Sequence, residues 1–187
     1  THPYPAAPLI ILASLTITAC SPSVHDITAK GDTDRLTQIL DVQPKSIQEK
    51  NNLGQQPIHY AATNNRLDTL KILHEHGADL NAADDTGLTP LHIAAQHDHR
   101  HILRFLIKNR ADAAVTDIFG NTPLHQAAIH GSPKTTNDLL KIGANPHAAN
   151  NQGQTPLQLA QRYNQPAIIN RLQLIAKKNQ YMPNTET

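Results

Sequence analysis

The chain has 187 residues, with 16 Lys and Arg against 15 Asp and Glu, for a formal net charge of +1. That balance implies no broad electrostatic steering. Aromatics are 3% of residues and tryptophan is absent, which argues against a nucleic-acid surface, where a basic face with stacking rings is expected. A single cysteine, Cys20, excludes an internal disulfide.

Leu9 to Ala19 is uncharged and mostly apolar. At about 1.5 Å per helical residue it reaches only about half of a roughly 30 Å hydrocarbon core. That length suits the h-region of a signal peptide better than a membrane span. The run ends in Ile17-Thr18-Ala19-Cys20, an aliphatic residue, two small residues and a cysteine, which resembles the lipobox of bacterial lipoproteins. The resemblance implies cleavage before Cys20, acylation of that cysteine, and a membrane anchor. Ser21 resembles the residue that follows the cysteine in lipoproteins sorted to the outer membrane, which implies a site facing the periplasm. The alternative is a cytosolic protein whose N-terminus is not a signal.

From there the chain repeats itself. Gly87-Leu88-Thr89-Pro90-Leu91-His92-Ile93-Ala94-Ala95 recurs as Gly120-Asn121-Thr122-Pro123-Leu124-His125-Gln126-Ala127-Ala128. Glycines at 54, 87, 120 and 153 and prolines at 57, 90, 123 and 156 each stand 33 residues apart. A fixed period of this size means stacked supersecondary units. Residues 1–19 form the signal-like segment, 20–23 a linker, and 24–178 the repeats, at about 24–51, 52–84, 85–117, 118–150 and 151–178. A polar tail, 179–187, follows. The first repeat, with Gly31 one position early, reads as an N-terminal cap with a shortened turn. The fifth, with Gln158 in place of histidine, reads as the other cap. Leu40, Leu73, Leu106, Leu139 and Leu172 make a 33-residue ladder through the second helices. Arg110 stands where Gly77 and Gly143 end their helices, and Asn109 is expected to take over the left-handed position.

The period with T-P-L-H-x-A resembles the ankyrin repeat. The resemblance implies an all-α solenoid of about five helix–turn–helix units joined by β-hairpin loops. Thr89 and Thr122 suit helix N-caps, and Pro90 and Pro123 the first turn. Leu91 and Leu124 point into the stack. In ankyrins the histidine of this motif, here His59, His92 and His125, bonds loop backbone. A whole repeat apart, roughly 10 Å by the spacing of packed helices, these histidines cannot share one metal. Ser132 is expected to cap the second helix of repeat four.

Ankyrin families bind proteins through hairpin tips and a concave groove. Carried over by position, the candidate contacts are Leu53, Asp85, Thr86, Leu88, Gln96, His97, Ile118, Phe119, Asn121, Ile129, His130 and Gln152. Leu53, Leu88, Ile118 and Phe119 are apolar at tips expected to be exposed, and a contiguous apolar strip marks a contact surface. His97-Asp98-His99-Arg100-His101 is a dense histidine tract. His97, His99 and His101 are therefore weak candidates for Zn²⁺, Cu²⁺ or Ni²⁺, and metal sequestration is the alternative function. Catalytic motifs are absent: there is no H-E-x-x-H, P-loop or G-x-S-x-G. The chain is expected to be a non-enzymatic, monomeric module without cofactor, membrane-tethered and binding a partner protein rather than nucleic acid.

Overall fold

The structure is a computed structural model that describes residues 22–180. The lipobox-like segment, Cys20 and residues 181–187 lie outside the described residues. Ten helices form five pairs: α1 (Val24–Lys30) with α2 (Thr33–Val42), α3 (Pro57–Thr63) with α4 (Leu67–Glu75), α5 (Pro90–Gln96) with α6 (Arg100–Lys108), α7 (Pro123–His130) with α8 (Pro133–Lys141), and α9 (Pro156–Arg162) with α10 (Pro166–Gln180). A 3-10 turn, Pro44–Gln48, follows α2. The first helices of the pairs pack against one another in one row and the second helices in another. This is the expected all-α solenoid. None of its described helices is long and apolar enough to cross a membrane.

Apolar spacing explains the layers. Leu40, Leu73, Leu106, Leu139 and Leu172 are all buried between the rows, and Ala61, Ala62, Ala94, Ala95, Ala127 and Ala128 are fully buried where the first helices meet. Burying one leucine stabilises by about 1.5–3 kcal/mol, and the alanines let backbones approach closely. The apolar interior falls into two clusters. The larger runs from Val24 to Leu139. The smaller joins Ala128 to Leu159, Ala160, Ile168 and Leu172.

The turn inside each pair is left-handed at Asn65, Asp98, Gly131 and Asn164. In repeat one it falls at Gly31, a residue early, and α2 is a residue longer than α4, so the two return to register. The end of α6 departs from expectation. Arg110 itself takes the left-handed conformation, with φ 66°, while Asn109 stays at φ −96° and donates its side-chain amide to the Phe105 carbonyl at 2.8 Å. Neighbouring Gly77 and Gly143 show that the chain reverses here by left-handed geometry. A shift of one residue would move the exit of the helix.

The joining loops contain no strand among the described residues. Each tip is closed by two backbone bonds, such as Asp84 N–H to Leu88 C=O at 3.0 Å and Gly87 N–H to Asp84 C=O at 2.9 Å, and otherwise by a side chain. Asn51, Asp84, Asp117 and Asn150, again 33 apart, each accept backbone N–H groups from two and four residues ahead. Two backbone bonds within one turn are too few for a ladder, so these hairpins are largely side-chain knots. Gly87 is required at its tip: φ is 77°, and a Cβ would come within 2.9 Å of the Asp117 backbone in the next hairpin.

The motif histidines tie hairpins to helices. Nδ1 of His59, His92 and His125 accepts the backbone N–H of Gln56, Thr89 and Thr122 at 3.1, 3.2 and 3.1 Å. With Nδ1 accepting, Nε2 carries the proton. It donates across the repeat boundary to the carbonyls of Leu88, Asn121 and Gln154 at 3.2, 3.0 and 3.1 Å. Burial pushes all three imidazoles below their ordinary value, against nearby carboxylates and carbonyls. In repeat one the two tasks are divided. Asp26 accepts from the Ser23 N–H at 3.2 Å, and His25 Nε2 reaches the Gln55 carbonyl at 3.1 Å. In repeat five Gln158 keeps only the first task, accepting the Thr155 N–H at 2.8 Å.

Candidate interaction face and histidine tract

The hairpin tips bond to one another in sequence. Asp85 N–H donates to Leu53 C=O, Ile118 N–H to Thr86 C=O and Asn151 N–H to Phe119 C=O, at 3.0–3.1 Å. This lattice holds up an apolar strip: Leu53 is 61% exposed, Ile118 56% and Phe119 60%. Asp85, Thr86, His97, His130 and Gln152 are exposed along the same side, and Gln96 is half-buried. Two candidates are less accessible. Leu88 is half-buried and packs on the main apolar cluster, so it belongs to the interior. Asn121 is buried and spends its groups inside the fold: its amide donates to Asp117, its side-chain oxygen accepts from Asn150, and its carbonyl accepts from His92. Of the framework residues, Thr89, Pro90, Leu91, His92, Pro123, Leu124 and His125 are buried and Thr122 is half-buried.

Between repeats four and five the face is concave. There a pocket of about 210 Å³ is lined by Phe119, Ile129, Leu159 and Tyr163, with the buried Asn121 and with Asn150, Gln152, Gln154 and Arg162 at its polar side. Ile129 is half-buried against the smaller cluster. Tyr163, 49% exposed, is the residue sequence reasoning missed. The signal was its place, 33 residues after His130 and 66 after His97. A larger hollow of about 610 Å³ lies between the ends of α6 and α8, lined by Ile107, Ile142, several alanines and loop backbone. It holds none of the candidate contacts.

The histidine tract spreads in different directions. His97 closes α5, exposed, with its ring stacked on His99 at 5.5 Å, and stacked rings do not aim their lone pairs at one point. Partial burial and then the neighbouring His99 and His130 rings lower its pKa. His99 Nδ1 donates to the Ala62 carbonyl at 2.9 Å. His101 is exposed on α6. Among the described residues no group of three or more His, Cys, Asp or Glu side chains is placed to hold a metal ion.

His99 belongs to a second series. Arg66, His99, Ser132 and Gln165, 33 apart, donate to the Ala29, Ala62, Gln96 and Ile129 carbonyls at 2.9–3.2 Å. These acceptors lie near the ends of the preceding repeat's first helices, where carbonyls lack intrahelical partners. Ser132 thus latches to the previous repeat instead of capping α8. The tract's other two residues also bridge repeats. Asp98 accepts the Thr135 N–H at 2.9 Å. Arg100, with Arg104, grips the buried Asp138 at 2.7 Å each. The Arg100 guanidinium first, against burial, and then Arg104 hold the Asp138 carboxyl down to about 2.

Comparison with known proteins agrees with this architecture. A family model for ankyrin repeats, three copies, matches residues 24–117 and 110–182. No curated protein matches the chain. With repeats matched over most of its length and stacked as described, the chain belongs to the ankyrin-repeat family.

Proposed function

We propose that the chain is a non-enzymatic interaction module that binds a partner protein across its hairpin tips and the adjoining groove, with the pocket around Phe119 and Tyr163 as its anchor point. One observation carries this reading. Two aromatic side chains, in a chain with few, stand exposed on either side of one concavity with amides and Arg162 at its rim. Aromatic anchors with a polar rim are typical of protein-binding surfaces. The test is a photo-crosslinking residue at position 119 or 163 in cells, with position 173 on α10 as a control. The same discrete protein captured from 119 and 163 but not from 173, and lost on Phe119→Ser with unchanged melting, is the expected result. Equal capture from 173 overturns it.

The membrane tether is proposed on the Ile17-Thr18-Ala19-Cys20 sequence. It would hold the module at a bacterial outer membrane, facing the periplasm. Cys20→Ser is expected to move the protein from the membrane to the soluble fraction. An unchanged distribution would leave the cytosolic reading standing. Metal sequestration is not favoured by the diverging histidines of the tract.

A further inference from the structure

Charge is unevenly distributed along the stack. Residues 22–99 contain eleven Asp and Glu against six Lys and Arg, whereas residues 100–180 contain ten Lys and Arg against three acids. Of those three, Asp117 and Asp138 are buried. Because a solenoid orders its repeats in space as in sequence, the near-neutral total conceals one negative and one positive half.

The change of sign is sharpest on the outer face formed by the second helices. There α2, α4, α6, α8 and α10 lie side by side, and the first four carry the change of sign. Positions 68, 101 and 134 form one row across the stack, Asp68, His101 and Lys134. Positions 75, 108 and 141 form another, Glu75, Lys108 and Lys141. All six are exposed. The rows are separated by seven residues, about 10 Å along a helix. On α2 the same two rows fall at exposed Arg35 and Val42, with exposed Asp34 and Asp41 one residue before each. Lys71 pairs with Asp68 at 2.7 Å and His76 Nε2 lies 3.5 Å from Asp41, while among the described residues no ion pair engages Glu75 or Lys108. Two large apolar side chains are also exposed at one edge of this face: Val42, at the end of α2, is 78% exposed, and Ile142, just past α8, is 45% exposed.

We infer that this outer face pairs with the outer face of a second copy about a two-fold axis parallel to the helices, in place of the monomer expected from the sequence. That operator lays α4 over α6 of the second copy and α2 over its α8. It sets Glu75 against Lys108 and Asp68 against His101, and brings Asp34 and Asp41 beside Lys134 and Lys141, where Arg35 is a like charge in the Lys134 row. It also sets Val42 against Ile142, since both lie at the C-terminal ends of their helices. Every contact occurs twice, as a closed isologous interface requires. A two-fold axis along the stack would place like charge over like, and a head-to-tail arrangement would leave charged ends open. Exposed ion pairs are individually weak, so the dimer is weak and salt-sensitive, with charge setting its register. The groove, on the other side of the first helices, stays open, so this inference is independent of the proposed binding site.

Sedimentation equilibrium of the full chain tests it, between about 50 mM and about 500 mM salt. A dimer at low salt whose dissociation constant rises at least about tenfold at high salt is expected. Glu75→Lys and Lys108→Glu alone should each weaken pairing by about tenfold, and the two combined in one chain should restore it. Circular dichroism checks that each variant folds. The proposal is overturned by a monomer at low salt up to about 0.5 mM protein. It is equally overturned by association indifferent to salt and to both reversals, as the Leu9–Ala19 run would produce, or by a combined variant as weak as the single ones. Binding of the basic half to anionic phospholipid vesicles without self-association would also overturn it.

Discussion

His92 and Asn121 join repeats three and four: the Nε2–H of His92 donates to the Asn121 carbonyl at 3.0 Å while Nδ1 of the same ring closes the start of α5 at Thr89. One neutral ring thus fixes a helix end and the hairpin beyond it. Gln158 shows that a glutamine can perform the first task alone. His92→Gln should therefore keep α5 but lose the bond across the boundary, lowering stability by about 1–3 kcal/mol. Equilibrium urea unfolding measures it; an unchanged midpoint would refute the shared role.

The same rings make the stack sensitive to acid. His59, His92 and His125 have lowered folded-state values, so protons bind the unfolded chain first as pH falls. Their stabilisation is fully present above about 6.5, the unfolded value, and is lost as pH falls from there toward the folded values. Within that window each ring contributes a slope of up to about 1.4 kcal/mol per pH unit. Urea midpoints should hold from pH 7.5 to about pH 6.5 and fall from there toward pH 5, and a flat profile would contradict the buried, neutral state of the rings.

Arg110 holds a left-handed backbone, at φ 66°, that Gly77 and Gly143 adopt without a Cβ. Arg110→Gly should raise stability by about 1 kcal/mol. A loss on thermal or urea unfolding would mean that the exposed arginine makes a contact worth more than the backbone strain.

Asp138 is buried between two half-exposed guanidinium groups. Removing its charge leaves α6 and α8 without their shared grip. Because solvent screens the arginines, the cost of Asp138→Asn is set at about 1–3 kcal/mol, below that of a fully buried pair. With its carboxyl at about 2 against an ordinary 3.8, this contribution is complete above about pH 4 and disappears as pH falls toward 2. A variant as stable as the parent at pH 7 would show the grip to be incidental.

Leu91 is fully buried in the middle of the stack, whereas Leu157 is half-buried in the last repeat. Leu91→Ala should cost about 2–5 kcal/mol, and Leu157→Ala clearly less. Equal shifts in urea midpoint would count against stability residing between neighbouring repeats.

What recurred as identical letters was legible in the sequence. The glycines, prolines, Thr89 and Thr122, and the leucine ladder occupy the places their repetition implied. Other positions repeat a chemical task with different residues. Arg66, His99, Ser132 and Gln165 all donate to a helix-end carbonyl, and Asn51, Asp84, Asp117 and Asn150 all knot a hairpin. Neither series shows as a run of one letter, so His99 read as a metal candidate and Ser132 as a cap. In the candidate site, Phe119 and Ile118 could be placed by counting from the motif. Leu88 could not, because burial at a tip depends on how the neighbouring hairpin leans. The Asp138 grip joins residues 34 and 38 apart, close to one period but on side chains with no repeat partner, and local pattern does not reveal it.

The smaller apolar cluster packs repeat five onto Ala128, Ile129 and Leu140 of repeat four, and the Phe119–Tyr163 pocket straddles that joint. An end unit held by so small a shared interior opens at lower cost than the whole molecule. A bound partner touching both aromatics would act as a splint across that joint. Amide hydrogens of α9 and α10, far from most of the contact strip, would then exchange more slowly on binding than those of α1 and α2.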